Sequence, residues 1–331
     1  MTKRFYLTLI IATIALPYVA MAPVVLAATT PNPQNAGQAL EIAPPVITLT
    51  LDPGQTATTQ IYLRDIASTK LNVTGQANDF VAAGEDGTPK VLLDTTGSGP
   101  YSLRNWVGAL PTLQLIPREI KSMAVTITVP RDASPGGHYG VIRFTAVPPD
   151  LKDTGVSLSA SLGALLLVTV RGKLIDNLEL QSFTVNQDGK SSTFFEAAPL
   201  TFSQLLRNSG NVHEEPAGQV TITDMFGAKL AVLGINQPPH NVLPASSRRF
   251  DEVLDSTVIG NKMLFGRYTA TLKATYANGK SVNGSLTFWV VPYRLIAVIV
   301  VAGVGGFFGL RYGIRRYNRF IVGQSRRGRR Y

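Results

Sequence analysis

The run Gly266-Arg-Tyr-Thr-Ala-Thr-Leu-Lys-Ala-Thr-Tyr276 decides the fold class. Tyr268, Ala270, Leu272, Ala274 and Tyr276 alternate with Thr269, Thr271, Lys273 and Thr275, the period of a strand with one buried face. Asn278-Gly279 then turns the chain into a second strand-like run, Val282–Val291. The same alternation occurs elsewhere. Ile47, Leu49 and Leu51 are interleaved with Thr48 and Thr50 before the turn Asp52-Pro53-Gly54. Val125, Ile127 and Val129 precede a Pro130–Gly137 turn, and Val220 and Ile222 precede the turn Asp224-Met225-Phe226-Gly227. Ile61 with Leu63, Leu71 with Val73, Tyr139–Val147 and the apolar stretch 158–170 supply further strands. No segment between 40 and 292 carries a long helical period.

The strands fall into two similar halves. Pro117 is followed 20 residues later by Gly137-His138-Tyr139, and Pro244 is followed 22 residues later by Gly266-Arg267-Tyr268. Each Gly–basic–Tyr triplet opens a strand late in its half. The expectation is an all-β protein of two tandem immunoglobulin-like sandwiches, residues 40–172 and 173–292.

The two ends set a topology. Lys3-Arg4, an apolar run from Phe5 and the small residues around Ala27 make a secretory signal over residues 1–27. An uncleaved anchor is the other reading of the same run. Residues 28–39 lack periodicity and read as a flexible leader. Near the other end, Leu295–Leu310 is an uncharged run flanked by Tyr293, Arg294, Arg311 and Tyr312. It reads as a transmembrane helix over 293–312, with a basic cytoplasmic tail over 313–331 by the positive-inside rule. Gly305, Gly309 and Gly313 share one helix face, a spacing that permits weak homo-association.

Charge follows the same division. The net charge of +10 invites a nucleic-acid reading, but two of the 31 basic residues precede residue 28 and nine arginines lie from Arg294 on. The remaining 20 basic residues face all 21 acids, so residues 28–293 are nearly neutral and carry no footprint for a phosphate backbone. The chain has no cysteine, which removes disulfides, thiol nucleophiles and Cys-ligated metals. Each sandwich must be held by its core alone.

No catalytic, cofactor or metal motif stands out. His138, His213 and His240 occupy separate turns, and His213-Glu214-Glu215 reads as a polar loop before Pro216. Glu85-Asp86-Gly87 and Asp188-Gly189 lack the spaced oxygens of a calcium loop, and Thr95–Pro100 lacks the lysine of a phosphate loop. Tyr101, Arg104 and Trp106 form the one group suited to stacking on sugars, with core packing as the plainer reading.

Several stretches carry a family resemblance. In the first half they are Ile47–Gly54, Asn78-Asp79-Phe80, Trp106, Leu115-Ile116-Pro117 and Val129–Gly140. In the second they are Asn208–His213, Pro216-Ala217-Gly218, Asp224–Gly227, Asn241–Pro244, Arg248 and Phe265–Tyr268. In this order they resemble the WxL-interacting protein family, a peptidoglycan-binding domain followed by a host-binding domain and a membrane anchor. The resemblance implies a bacterial cell-surface protein: a non-enzymatic adhesion or scaffold that contacts cell-wall peptidoglycan and another surface protein. It transfers no binding residues. Two other readings stay open, an Ig-like assembly chaperone for exported clients and a wall hydrolase. An unpaired sheet edge beside apolar pockets would favour the chaperone, and a deep polar cleft with paired carboxylates the hydrolase.

Overall fold

The computed structural model describes residues 40–66, 68–93, 99–147, 161–260 and 262–327. The expected signal and leader, the Thr95–Ser98 turn, and Arg329 and Arg330 of the tail lie outside these residues.

The first unit holds strands β1 (Leu40–Ala43), β2 (Val46–Leu51), β3 (Thr56–Asp65), β4 (Leu71–Ala83), β5 (Thr88–Leu92), β6 (Leu113–Leu115), β7 (Ile120–Thr128), β8 (Gly136–Val147) and β9 (Ser161–Val170). They form two sheets, β1-β3-β7 and β2-β9-β8-β4-β5, with β6 paired to β4. The second unit holds β10 (Leu178–Gln187), β11 (Lys190–Ser191), β12 (Phe194–Phe195), β13 (Leu200–Asn208), β14 (Ala217–Asp224), β15 (Lys229–Ile235), β16 (Ser247–Leu254), β17 (Gly266–Tyr276) and β18 (Lys280–Val290). Its sheets are β11-β10-β13-β16 and β12-β18-β17-β14-β15.

The two units are built alike. In each, an early strand lies parallel to the last one, β2 on β9 and β12 on β18. In each, the last strand pairs antiparallel with the one before it, β9 with β8 and β18 with β17. The Gly–basic–Tyr triplets therefore mark equivalent strands, as the repeat implies. His138 is the third residue of β8, not a turn residue. It was misplaced because the glycines before it read as loop, whereas Gly136 already opens the strand.

The alternation places the core. Met123, Val125 and Ile127 of β7 are buried while the residues between them are exposed. They meet Ile142, Phe144, Leu166 and Val168 of the facing sheet. In the second unit Val220, Ile222, Ala270, Leu272 and Phe288 do the same, and the Phe288 ring stacks on Tyr268 with centroids 5.6 Å apart. Burial of apolar side chains at about 25 cal/mol per Å² is what holds these cystine-free sandwiches.

Asp79 is among the polar groups buried in the first sandwich. The buried Asp79 carboxylate of β4 accepts from the Leu103 and Arg104 backbone N–H groups, each at 3.0 Å, and from Ser102 Oγ at 2.6 Å. Arg104 Nε lies 3.6 Å from the same carboxylate. This clamps the 3-10 turn Arg104–Trp106 onto the sheet.

Helices are α1 (Ser256–Ile259) and α2 (Tyr293–Arg327). The expected end of the helix at residue 312 is corrected: α2 runs on through Arg311, Arg315 and Arg316. Arginine is a good helix former, so the loss of apolar character there ends the span but not the helix. The 24 residues Tyr293–Arg316 are unburied and apolar enough to cross a membrane, and at 1.5 Å per residue they cover about 36 Å.

Removing the Asp79 carboxylate takes the acceptor from two backbone donors in a buried site. Asp79→Ala should lower the urea-unfolding free energy of the first sandwich by about 3 kcal/mol. A loss below about 0.5 kcal/mol, the range of ordinary surface changes, would mean the turn is held by packing instead.

Candidate functional site

The chemistry-bearing residues are placed first. Among the described residues no cluster of three or more His, Asp or Glu side chains could hold a metal. The His138 ring lies tilted against Trp106 with centroids 4.2 Å apart, and its Nε2 meets Ser134 O at 3.0 Å. Arg104 is taken up by Asp79, and Tyr101 leans on Tyr139 with centroids 6.3 Å apart. The group considered for sugar stacking is thus tied into the sandwich. His240 is exposed and turned onto its own loop at Pro238 O.

His138 and His213 are not as separate as their positions in the chain imply. Tyr139, next to His138, reaches into the second sandwich, where its hydroxyl and His213 Nδ1 share a hydrogen bond at 3.3 Å. Burial pulls the imidazole down to about 4 and holds the phenol well above its ordinary range. Both groups are neutral at physiological pH. Beside them Glu214 is pushed up to about 7, by burial first and by the Asp176 carboxylate next, with Lys280 opposing. Its Oε1 is buried without a hydrogen-bond partner, and Asp176 itself pairs with Lys280 at 3.6 Å.

Main-chain bonds complete the boundary between the sandwiches. Asn211 donates from Nδ2 to Pro135 O and Lys173 O, both at 3.1 Å, and accepts from Ile175 N at 2.7 Å. Its carbonyl takes the Gly137 N–H at 2.7 Å. On the other side the β4–β5 hairpin tip crosses over: Glu85 pairs with Arg249, and Gly87 lies against the Arg248 guanidinium.

Between these contacts runs a groove of about 370 Å³ on the outer face of the β2-β9-β8-β4-β5 sheet. Its floor is Val46, Phe80, Leu165 and Leu167, and its far wall is Leu243 and Arg248 of the second sandwich. Arg248 is half-buried, donates to Asn241 O at 3.1 Å, and burial pulls its pKa down. Away from the groove the same sheet face turns polar, through Arg143 with Gln76 and then Thr145 with Ser161.

The sheet edge beside this groove is half-filled. β2 covers β9 from Leu165 to Val170, and Leu165 N donates to Pro45 O. Among the described residues Ser161–Ala164 pair only with β8. N–H groups two residues apart along a strand point the same way. Ser161 and Gly163 therefore direct their N–H and C=O outward, toward an open edge. Strand alternation makes β9 legible in the sequence, but nothing local shows how far β2 reaches along it.

The described residues define a tandem Ig-like sandwich protein with a C-terminal apolar helix. No family model matches the chain, and no curated protein matches it. Among solved structures it is similar to the YadV chaperone, at 12% identity and TM-score 0.36, over 76% of this chain and 100% of that one. It is also similar to the Escherichia coli chaperone DraB, at 12% identity and TM-score 0.33, over 76% and 96%. A third is a protein of unknown function from Porphyromonas gingivalis W83, at 12% and 0.29, over 75% and 98%.

Glu214 gives the boundary a pH dependence with a definite sign. Its folded pKa is raised above the unfolded value, so its favourable contribution is present below about pH 4.5 and is lost as pH rises through about 7. Glu214→Gln keeps the neutral form at every pH. The variant should be more stable than the parent at pH 8, on the order of 2 kcal/mol by chemical unfolding, and equal to it near pH 4. A variant less stable at pH 8 would show that the charged carboxylate is the form the fold prefers.

Proposed function

We propose that this chain is a membrane-anchored, non-catalytic binding protein that takes an extended segment of another exported protein as an added strand on its first sandwich. The observation that carries this reading is the Ser161–Ala164 edge of β9, which among the described residues has no strand opposite β8 and runs into the apolar groove floored by Val46, Leu165 and Leu167. Outward main-chain groups supply register-matched hydrogen bonds, and a neighbouring apolar groove supplies side-chain seats, the two needs of strand addition. The signal-like N-terminus and the arginines after residue 310 support an ectodomain outside and a cytoplasmic C-terminus.

Two observations favour a protein client over the other readings. The resemblance to the WxL-interacting family assigns wall polymer to the first domain, yet Tyr101, Arg104 and Trp106 are engaged by Tyr139, Asp79 and His138. For hydrolysis, the close carboxylates Asp176 and Glu214 sit with Lys280 at the sandwich boundary and do not line the groove.

A photo-reactive residue at Val46 in the full chain tests this in cells. Discrete adducts with exported proteins are expected, and none from the same probe at Asn278, on the β17–β18 turn. Ser161→Pro deletes an outward N–H without touching the β8 ladder, and should weaken binding of the captured client about tenfold. Adducts unaffected by Ser161→Pro would refute strand addition. Sedimentation of residues 40–172 with insoluble peptidoglycan, without adducts, would return the chain to the wall-binding reading.

A further inference from the structure

Register places three apolar loop ends together. Asp224 pairs with Tyr268 and Gly266 with Val290, while Phe194 pairs with Trp289. The β14–β15 turn, the segment entering β17 and the exit of β18 into α2 therefore share one end of the second sandwich. That end is conspicuously apolar at its surface. Phe226 is 85% exposed, Met263 62% and Phe265 58%, with Phe194, Trp289 and Met225 also exposed. Phe226 is presented rather than merely left out: Asp224 accepts from the Phe226 and Ala228 N–H groups at 2.9 and 2.8 Å, and Gly227 turns at φ 82°. A rigid turn thus holds a phenylalanine at its tip.

The internal repeat shows what this end faces. In the first sandwich the corresponding turn is the β4–β5 tip, where Glu85 pairs with Arg249 and Asp86 lies near Arg248. There the tip is acidic because the next body offers two arginines. In the second sandwich the same tip reads Met225-Phe226, and the next body along the chain is the apolar helix, which starts at Tyr293 with two residues between it and β18. The helix is also fastened to this end: Val291 N donates to Phe195 O at 2.8 Å, and Arg294 pairs with Glu196 at 3.3 Å.

We infer that this end of the second sandwich is seated in the bilayer interface, with Phe226, Met263 and Phe265 inserted among the lipid headgroups around α2. Exposed aromatic and thioether tips suit the headgroup–acyl boundary. Lys229, Lys262 and Arg267 rim them as exposed cations that can meet lipid phosphates. Of the nearby acids, Glu196 pairs with Arg294, Asp224 is held in its turn and Asp255 caps α1, while Asp188 is exposed in the cleft that Phe194, Tyr293 and Arg294 line. The inference rests on the reading that α2 spans the membrane.

The chain has no cysteine, so a single introduced thiol carries one spin label. The full chain in phospholipid nanodiscs is labelled in turn at Phe226→Cys, Met263→Cys, Asn278→Cys and Val301→Cys. Labels at 226 and 263 should be relaxed by oxygen and lose relaxation by an aqueous nickel chelate, as at 301, while 278 shows the reverse. A water-like label at 226 and 263 with a lipid-like one at 301 overturns the seat and leaves the span intact. Water-like labels at all three overturn both. Labels at 226 and 263 shielded from both relaxants assign the surface to a protein contact and refute the lipid seat.

Discussion

How far an early strand of each sandwich, β2 or β12, reaches along the last one governs the rest of this structure. Pro44 and Pro45 offer no backbone donor, so the β1 ladder with β3 cannot continue past Ala43, and the chain crosses to the other sheet. There β2 lies parallel on β9, a pairing that encloses the whole first unit between its ends. Six residues of β2 cover six of β9, so that among the described residues Ser161–Ala164 have a strand partner only in β8. In the second unit β12 repeats the move with only Phe194 and Phe195. The Phe195 carbonyl then receives Val291, so the device that leaves an edge open in one sandwich fastens the helix in the other.

The equivalent glycines at the starts of β8 and β17 show how one fold position serves two boundaries. Gly136 has φ 129°, and a Cβ there would lie 2.5 Å from the Asn211 carbonyl. The second sandwich can approach only because that side chain is missing. Gly266, at φ 107°, is instead overlain by the Met225 methyl. Backbone-to-backbone approach is used where the neighbour is a sandwich with its own polar groups to satisfy. Apolar cover is used where the chain passes into its helix.

The fold class was readable because burial in these strands follows a period of two. Met123, Val125 and Ile127, or Ala270, Leu272 and Ala274, declare their inner face without reference to any partner. The repeat was readable for the same local reason. What escaped was set by distance in the chain. Tyr139 finds His213 across 74 residues, and Asp79 takes the N–H groups of a turn 24 and 25 residues away. The groove has walls from both sandwiches, and the open edge is a matter of register. Neither leaves a motif. The helix end was misread for another reason: hydropathy stops at Leu310, but helix propensity does not.

The second sandwich works as a strut between two unlike surfaces. One end, formed by Asn208–His213, Leu243 and Arg248–Arg249, meets the first sandwich through hydrogen bonds, a buried tyrosine and an ion pair. The other end carries exposed apolar tips around the start of α2. Between them β17 runs 11 residues, about 37 Å at the rise of an antiparallel strand. Because both ends are fixed by more than one contact, the strut sets the height of the first sandwich instead of letting it swing on a linker. Under the proposed function, a binding edge held at a defined height would pay little orientational entropy on meeting an extended segment that leaves the same membrane. The rigid boundary around Asn211 and Tyr139 therefore bears on binding as much as the edge does, although neither residue touches it.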